Sequence, residues 1–179
     1  MKLVVGLGNP GEKYDRNRHN VGFLVVNEVV RLTGEDEKWK KEERWEGEVW
    51  KKGELVVLKP TTFMNSSGRA VRKVKEYFKV DMEDVWLVHD DLDIVLGEYK
   101  IQQGKGPKIH NGVSSVEENL GGGDFWRVRV GVDSRGGKRR ESGEEYVLKN
   151  FGQEERKIID EVVKKIGGEL LEKLRINLS

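Results

Sequence analysis

Two short runs leave a strand almost no polar position. Residues 3–7 read Leu-Val-Val-Gly-Leu and residues 85–89 read Val-Trp-Leu-Val-His. A strand that is apolar on both faces must be covered on both faces, the condition of a parallel sheet sandwiched between helices. Segments with helical spacing supply the cover. They are Asn20 to Leu32 (Val21, Leu24, Val25, Leu32, with Gly34 as a stop), Ser66 to Lys79 (Val71, Val74, Phe78) and Gly112 to Leu120 (Val113, Val116, Leu120). Gln153 to Leu174 is the longest, with Ile158, Ile159, Val162, Val163, Ile166, Leu170 and Leu174 predicted to face inward. Trp45 to Lys51 and Glu54 to Leu58 predict a hairpin around Lys52-Gly53, and Tyr99 to Gln102 a short strand. Trp126 to Val132 alternates valines with Arg127, Arg129 and Gly131, predicting a strand with one wet or functional face. No internal repeat is present. The alternation of elements predicts one α/β domain over residues 1–179, a twisted, mixed and mostly parallel sheet flanked by helices.

The first strand runs into Gly6-Leu7-Gly8-Asn9-Pro10-Gly11, the glycine spacing of a dinucleotide loop. The context of that motif is missing. A helix should begin at the second glycine to meet a pyrophosphate. Here Pro10-Gly11 breaks the chain, and Glu12 to His19 has no apolar face. The acid expected at the end of a second strand falls instead at the end of a helix, around Arg31 to Glu35. The glycines are expected to let the chain turn sharply and present Asn9 at the strand's carboxyl edge, where open α/β sheets bind ligands.

Cysteine is absent, which excludes disulfides, thiolate zinc sites and a thiol nucleophile. No apolar run approaches the ~20 residues of a membrane span, and the N-terminus lacks the pattern of a secretory leader, so a soluble cytoplasmic protein is expected. Lysine and arginine (33) nearly balance aspartate and glutamate (32), so net charge does not announce a polyanion partner. Local basic clusters at Arg16 and Arg18, Lys38 to Lys41, Lys51 and Lys52, Lys105 and Lys108, and Arg135 to Arg140 can still line a face that meets phosphates.

The residues with most chemistry gather at predicted element ends. They are Asn9 after the first strand, His19-Asn20 before the first helix, Phe63-Met64-Asn65 before the second, His89-Asp90-Asp91 ending the Val85 strand, and His110-Asn111-Gly112 opening the third helix. The segments V-V-G-L-G-N-P-G-x-x-Y-x-x-x-R-H-N-V-G, K-P-T-T-F-M-N-x-S-G, V-H-D-D-L-D, H-N-G and Y-V-L-K-N-F occur in that order and closely resemble bacterial peptidyl-tRNA hydrolase. The resemblance implies a monomeric α/β enzyme that cleaves the ester between a peptide and the 3′ end of tRNA without metal or cofactor. By the same match His19 is the general base and Asp90 its partner. Asn9, Tyr14, Phe63, Met64, Asn65 and Asn111 are the implied substrate-binding residues.

Elementary chemistry agrees with those residue types. Histidine accepts a proton near neutral pH, and a carboxylate on its other ring nitrogen fixes the tautomer and stabilises the imidazolium. Without cysteine or a G-x-S-x-G elbow, the nucleophile is expected to be water. Asparagines can donate to ester or peptide carbonyls, and Met64 can form an apolar wall. Asn65 and Asn111 can equally be helix N-caps. His89 and His110 are read as packing or hydrogen-bonding partners, and no close metal-binding spacing such as H-E-x-x-H is present.

The chain departs from the family pattern in Gly104 to Gly112, where Pro107, Lys108 and Ile109 stiffen and enlarge a usually glycine-rich loop. Of the two basic residues with which the family clamps the tRNA 5′ phosphate, one matches Arg129. Gln102 stands at the other, leaving Lys105 and Lys108, or Lys100, to replace it. Peptidyl-tRNA is thus the expected partner, contacted by Lys105, Lys108 and Arg129. An RNA-binding relative without turnover is the alternative, and a nucleotide-binding protein a more distant one.

Overall fold

The computed structural model describes residues 1–34, 38–138 and 141–176, and the basic positions Arg139 and Arg140 lie outside the described residues. Seven strands form one mixed sheet: β1 (Lys2–Gly6), β2 (Lys40–Glu42), β3 (Gly47–Lys52), β4 (Leu55–Pro60), β5 (Val85–Val95), β6 (Tyr99–Gln103) and β7 (Trp126–Asp133). Their order is β2-β3-β4-β1-β5-β7-β6. The central four, β4, β1, β5 and β7, run parallel, and the edges are antiparallel through β2–β3, β3–β4 and β6–β7. The helices are α1 (Val21–Leu32), α2 (Ser67–Tyr77), α3 (Asn111–Leu120), α4 (Gly143–Val147) and α5 (Gln153–Lys173).

The two-sided cover expected from the apolar runs is present. Val4, Val57, Val88 and Val128 face a core closed by α1 and α5, while Leu3, Val5, Leu58 and Leu87 face α2 and α3. Alternate residues of one strand therefore enter different cores. Among the described residues no helix is long and apolar enough to cross a membrane.

Several boundaries moved for identifiable reasons. β5 does not end at His89; it continues through Asp90 and Asp91 to Val95, because β7 keeps pairing with it, with a register shift between Asp91 and Val95. The neighbour on its other side, β1, last pairs at Gly6 with Val88. Asp90 thus stands inside one strand but beyond the carboxyl end of the next, at the kind of crevice where such sheets place ligands. Trp45 belongs to a 3₁₀ turn before β3, and Ile158, at the start of α5, is 44% exposed rather than inward. The short elements β2 and α4 were not anticipated: three and five residues are too few for either period to register.

The glycine loop serves packing. Of its glycines, Gly11 takes a positive φ, 108°, while Gly6 and Gly8 do not. A methyl group at Gly6 would meet the Gly22 carbonyl oxygen at 2.4 Å, and one at Gly8 would meet the Phe23 ring at 2.9 Å. The turn-permitting role expected of the glycines falls to Gly11, whereas Gly6 and Gly8 let the start of α1 lie directly on the end of β1. Gly22 is the reciprocal half, its missing Cβ standing 2.5 Å from Leu7 backbone atoms and 2.6 Å from the Val88 oxygen. Gly22→Ala is expected to cost about 2 kcal/mol of stability, within the range for overpacking a tight interior. A thermal melt against wild type measures it, and an unchanged melting temperature would contradict the close-packing role.

Candidate active site

Asp90 is the hub. Its carboxylate, 3% exposed, accepts from two imidazoles: His19 Nδ1 lies 2.8 and 3.0 Å from its two oxygens, and His110 Nε2 lies 2.8 Å from Oδ1. Backbone geometry settles the His110 tautomer. His110 is the N-cap of α3, and its Nδ1 accepts from the amides of Gly112 (3.1 Å) and Val113 (3.3 Å). An accepting Nδ1 leaves the proton on Nε2, which donates to Asp90. His19 donates through Nδ1 to the same carboxylate, so its Nε2 is left with a lone pair. The side chain is 13% exposed and lines a cleft of about 450 Å³ with Asp90, Lys108, His110 and Asn111.

Electrostatics follow from this arrangement. Burial by itself raises the Asp90 pKa, but the charges of His19 and His110 and their hydrogen bonds hold it far below the usual carboxylate range. Burial by itself lowers the His19 pKa. The Asp90 charge and hydrogen bond, with a smaller contribution from Glu144, outweigh it and raise the value above 6.5. His89, one residue before Asp90, is different. It is fully buried, bonds the Asp90 carbonyl oxygen through Nδ1 at 2.7 Å, and is pushed down to about 3, chiefly by burial. It stays neutral and structural. The ring nitrogens of His19 and His110 and the Asp90 carboxylate lie within 4.8 Å of one another, a spacing that can also hold a metal ion. The hydrogen bonds just described fill that space with protons on Nδ1 of His19 and Nε2 of His110.

The candidate amides open onto different clefts around this pair. Asn9 Oδ1 accepts from the Met64 amide at 2.9 Å, which fixes the side-chain orientation and leaves Nδ2 as the free donor. Asn20 holds the Asn9 backbone from both sides, accepting from its N–H and donating to its carbonyl, each at 2.9 Å. Asn20 was adjacent to His19 in the sequence but carried no assigned role; its function is visible only once residues 9 and 20 meet. Asn65 lies in the 3₁₀ turn Met64–Ser66, and Asn111 is the first residue of α3. Neither is an N-cap, since Ser66 and His110 hold those positions; both are exposed, Asn111 lining the His19 cleft and Asn65 a separate opening with Thr61, Phe63 and Arg69. Met64 is 5% exposed and packs against Gly112, where an added Cβ would lie 2.4 Å from its sulfur. Phe63 is 57% exposed and meets the Tyr14 ring edge-on at a centroid distance of 6.3 Å. Asn9 lines not the His19 cleft but a second one of about 720 Å³, bordered by Arg16, Lys41, Lys59 and Arg156.

The wet face expected on β7 is corrected. Arg127 is 2% exposed, ion-paired with Glu117 of α3 and stacked on Phe125 at 4.5 Å. Arg129, with 13% of its side chain exposed, donates to Asp91 and to Gln102, both at 2.8 Å. Gly106 covers it closely, at a point where a Cβ would reach the guanidinium at 2.4 Å. The helix α3 and the 104–110 loop occupy that face. Lys105 and Lys108 are exposed on the same loop and make no ion pair among the described residues.

Comparison with known proteins is consistent with this geometry. The profile of the peptidyl-tRNA hydrolase family matches residues 3–176. The chain is 40% identical over 166 residues to a peptidyl-tRNA hydrolase of Sulfurovum sp., covering 93% of this chain and 85% of that one. It is 44% identical over 163 residues to one from Geotalea daltonii, covering 87% and 80%. The crystal structure of peptidyl-tRNA hydrolase from Acinetobacter baumannii superposes with a TM-score of 0.81 at 28% identity, over 97% of this chain and 92% of that one. With a family profile that spans residues 3–176 and relatives at 40–44% identity over most of both chains, this protein belongs to the peptidyl-tRNA hydrolase family.

Proposed function

We propose that this enzyme hydrolyses the ester between a peptide and the 3′-terminal ribose of tRNA, with His19 as general base and water as nucleophile. The observation that carries the mechanism is the His19–Asp90 pair: Nδ1 is committed to Asp90, so Nε2 faces the cleft as the proton acceptor. Nε2 takes a proton from water as the water oxygen bonds to the ester carbonyl carbon. The resulting oxyanion collapses, the bond to the ribose 3′-oxygen breaks, and the imidazolium returns its proton to that oxygen. Asp90 stabilises the transient imidazolium through the bond that orients it. The free Nδ2 of Asn9 and the amides of Asn65 and Asn111 hold the ester and the adjacent peptide group, one such donor being worth ~3 kcal/mol when aimed at an oxyanion. Tyr14, Phe63 and Met64 form the apolar side of the substrate site. Lys105 and Lys108 meet tRNA phosphates, with Arg129 beneath their loop. No cofactor enters the scheme. The enzyme acts in the cytoplasm, as a monomer.

Amide groups around the ester also define which substrates are accepted. A rim that hydrogen-bonds a neutral peptide N–H is left mispaired by a charged free amine. N-acetyl-aminoacyl-tRNA should therefore be cut and the same aminoacyl-tRNA with a free amine left intact. Release of tRNA from both substrates at matched concentrations is the test, and equal rates would remove this account of specificity.

A further inference from the structure

Immediately before the catalytic base stands an arginine that none of the chemistry above uses. Arg18 is 6% exposed. Its Nη2 meets both oxygens of Glu155, at 2.9 and 2.8 Å, and its Nη1 donates to the carbonyls of Lys149 (3.1 Å) and Asn150 (2.9 Å). The guanidinium lies 4.1 Å above the Tyr146 ring. Glu155 is anchored in turn by the Ser134 hydroxyl (2.6 Å) and the Gly152 amide (2.6 Å) at the start of α5. Two further backbone bonds, Arg18 N–H to the Lys149 carbonyl and Phe151 N–H to the Arg16 carbonyl, tie the same short segments together.

We propose that the Arg18–Glu155 strut is a positioning device for His19, and that Arg18 sets both the approach of the imidazole to Asp90 and the width of the catalytic cleft. His19 belongs to the one-turn element Arg18–Asn20, which has no side-chain cap of its own. Its orientation therefore depends on what holds the turn from outside. The strut also seizes the opposite wall, because Tyr146, on which Arg18 stacks, belongs to α4, and Glu144 and Val147 of that helix line the cleft with His19. One planar side chain thus spans the catalytic turn, α4 and the start of α5. Lysine cannot reproduce this, since it lacks the fork that engages a carboxylate and two carbonyls at once. The Arg18 Nε is buried without a partner, a cost that packing alone does not call for and that fits a residue held in place for geometry.

This inference rests on the proposed hydrolysis, and the experiment separates the two. Wild type turning over N-acetyl-aminoacyl-tRNA tests the reaction; Arg18→Lys and Glu155→Gln, assayed well below their melting temperatures, test the strut. The expected result is a ten- to hundred-fold lower kcat in each, KM within about twofold of wild type, and a His19 pKa, followed by imidazole NMR, displaced downward as its contact with Asp90 loosens. Val74→Ala, in the core on the other face of the sheet, controls for lost stability and should retain kcat. Guanidinium at low millimolar concentration, but not sodium, should restore part of the activity of Arg18→Ala. Folded strut variants with wild-type kcat and His19 pKa would overturn the proposal, as would a Val74→Ala loss equal to theirs. If Arg18→Lys fails to fold, Glu155→Gln alone decides between these outcomes.

Discussion

His19→Ala is expected to lower kcat on N-acetyl-aminoacyl-tRNA by about 10³-fold, within the range that a positioned general base contributes. Binding of tRNA should change little, because Lys105 and Lys108 lie on a different loop. The fold should persist, since His110 still donates to Asp90 and the Asn9–Asn20 pair does not involve the imidazole. Single-turnover kinetics together with a filter-binding affinity make the measurement. A variant that binds tRNA and retains wild-type kcat would eliminate His19 as the base. The wild-type enzyme carries a related signature. Its rate should fall as pH drops through the His19 pKa, which Asp90 holds above 6.5, because only the neutral imidazole accepts a proton.

Asp90→Asn tests the other half of the pair and should be at least as damaging. The amide presents a donor where the carboxylate presented two acceptors. Because His110 is bound through Nδ1 to the α3 amides, it keeps its claim on the one remaining acceptor. His19 is then driven towards the tautomer with its proton on Nε2, the wrong one for a base. Loss of an equivalent carboxylate in a histidine-dependent hydrolase reduces kcat by roughly 10⁴-fold, and a loss of that order is expected here. What activity remains should have its acid limb moved to lower pH. The sign follows from the cause: Asp90 raises the His19 pKa by favouring the imidazolium, so removing its charge lets that pKa fall. A kcat–pH profile of the variant shows this directly, and an acid limb left in place would mean that Asp90 is not what tunes His19.

The sheet and its cover were legible because they depend on periodicity. Val4 and Val5 can both be apolar only if helices lie on both faces, and the helical spacing of α1, α2, α3 and α5 names the elements that do so. Candidate site residues were proposed for a different reason: amides, histidines and an acid fall at the predicted ends of these elements, and their segments resemble a known family. Arg127 shows where such reading stops. Alternation along β7 separates two faces, but it does not tell which face α3 and the 104–110 loop will cover, and a buried arginine paired with Glu117 reads in sequence like an exposed one. Asp90 shows the same limit. Its strand continues to Val95 only because β7 is there to pair with it, a contact made across about 40 residues of chain.

The glycines after β1 illustrate the division. Their spacing matches a cofactor loop but their context argues against one, since Pro10-Gly11 and the polar stretch to His19 offer no helix for a pyrophosphate. That they exist to seat Gly22 of α1 against β1 required the two backbones to be side by side. By itself the sequence determined an α/β sheet covered on both faces, a strand end carrying Asn9, and a histidine, an acid and amides suited to ester hydrolysis. Only the tertiary structure decided that Asp90 serves two histidines, that the start of α3 selects the His110 tautomer, and that Arg18 ties the His19 turn to α5. Periodicity is a property of neighbours along the chain, whereas proton positions and orientations are set by partners that approach through space.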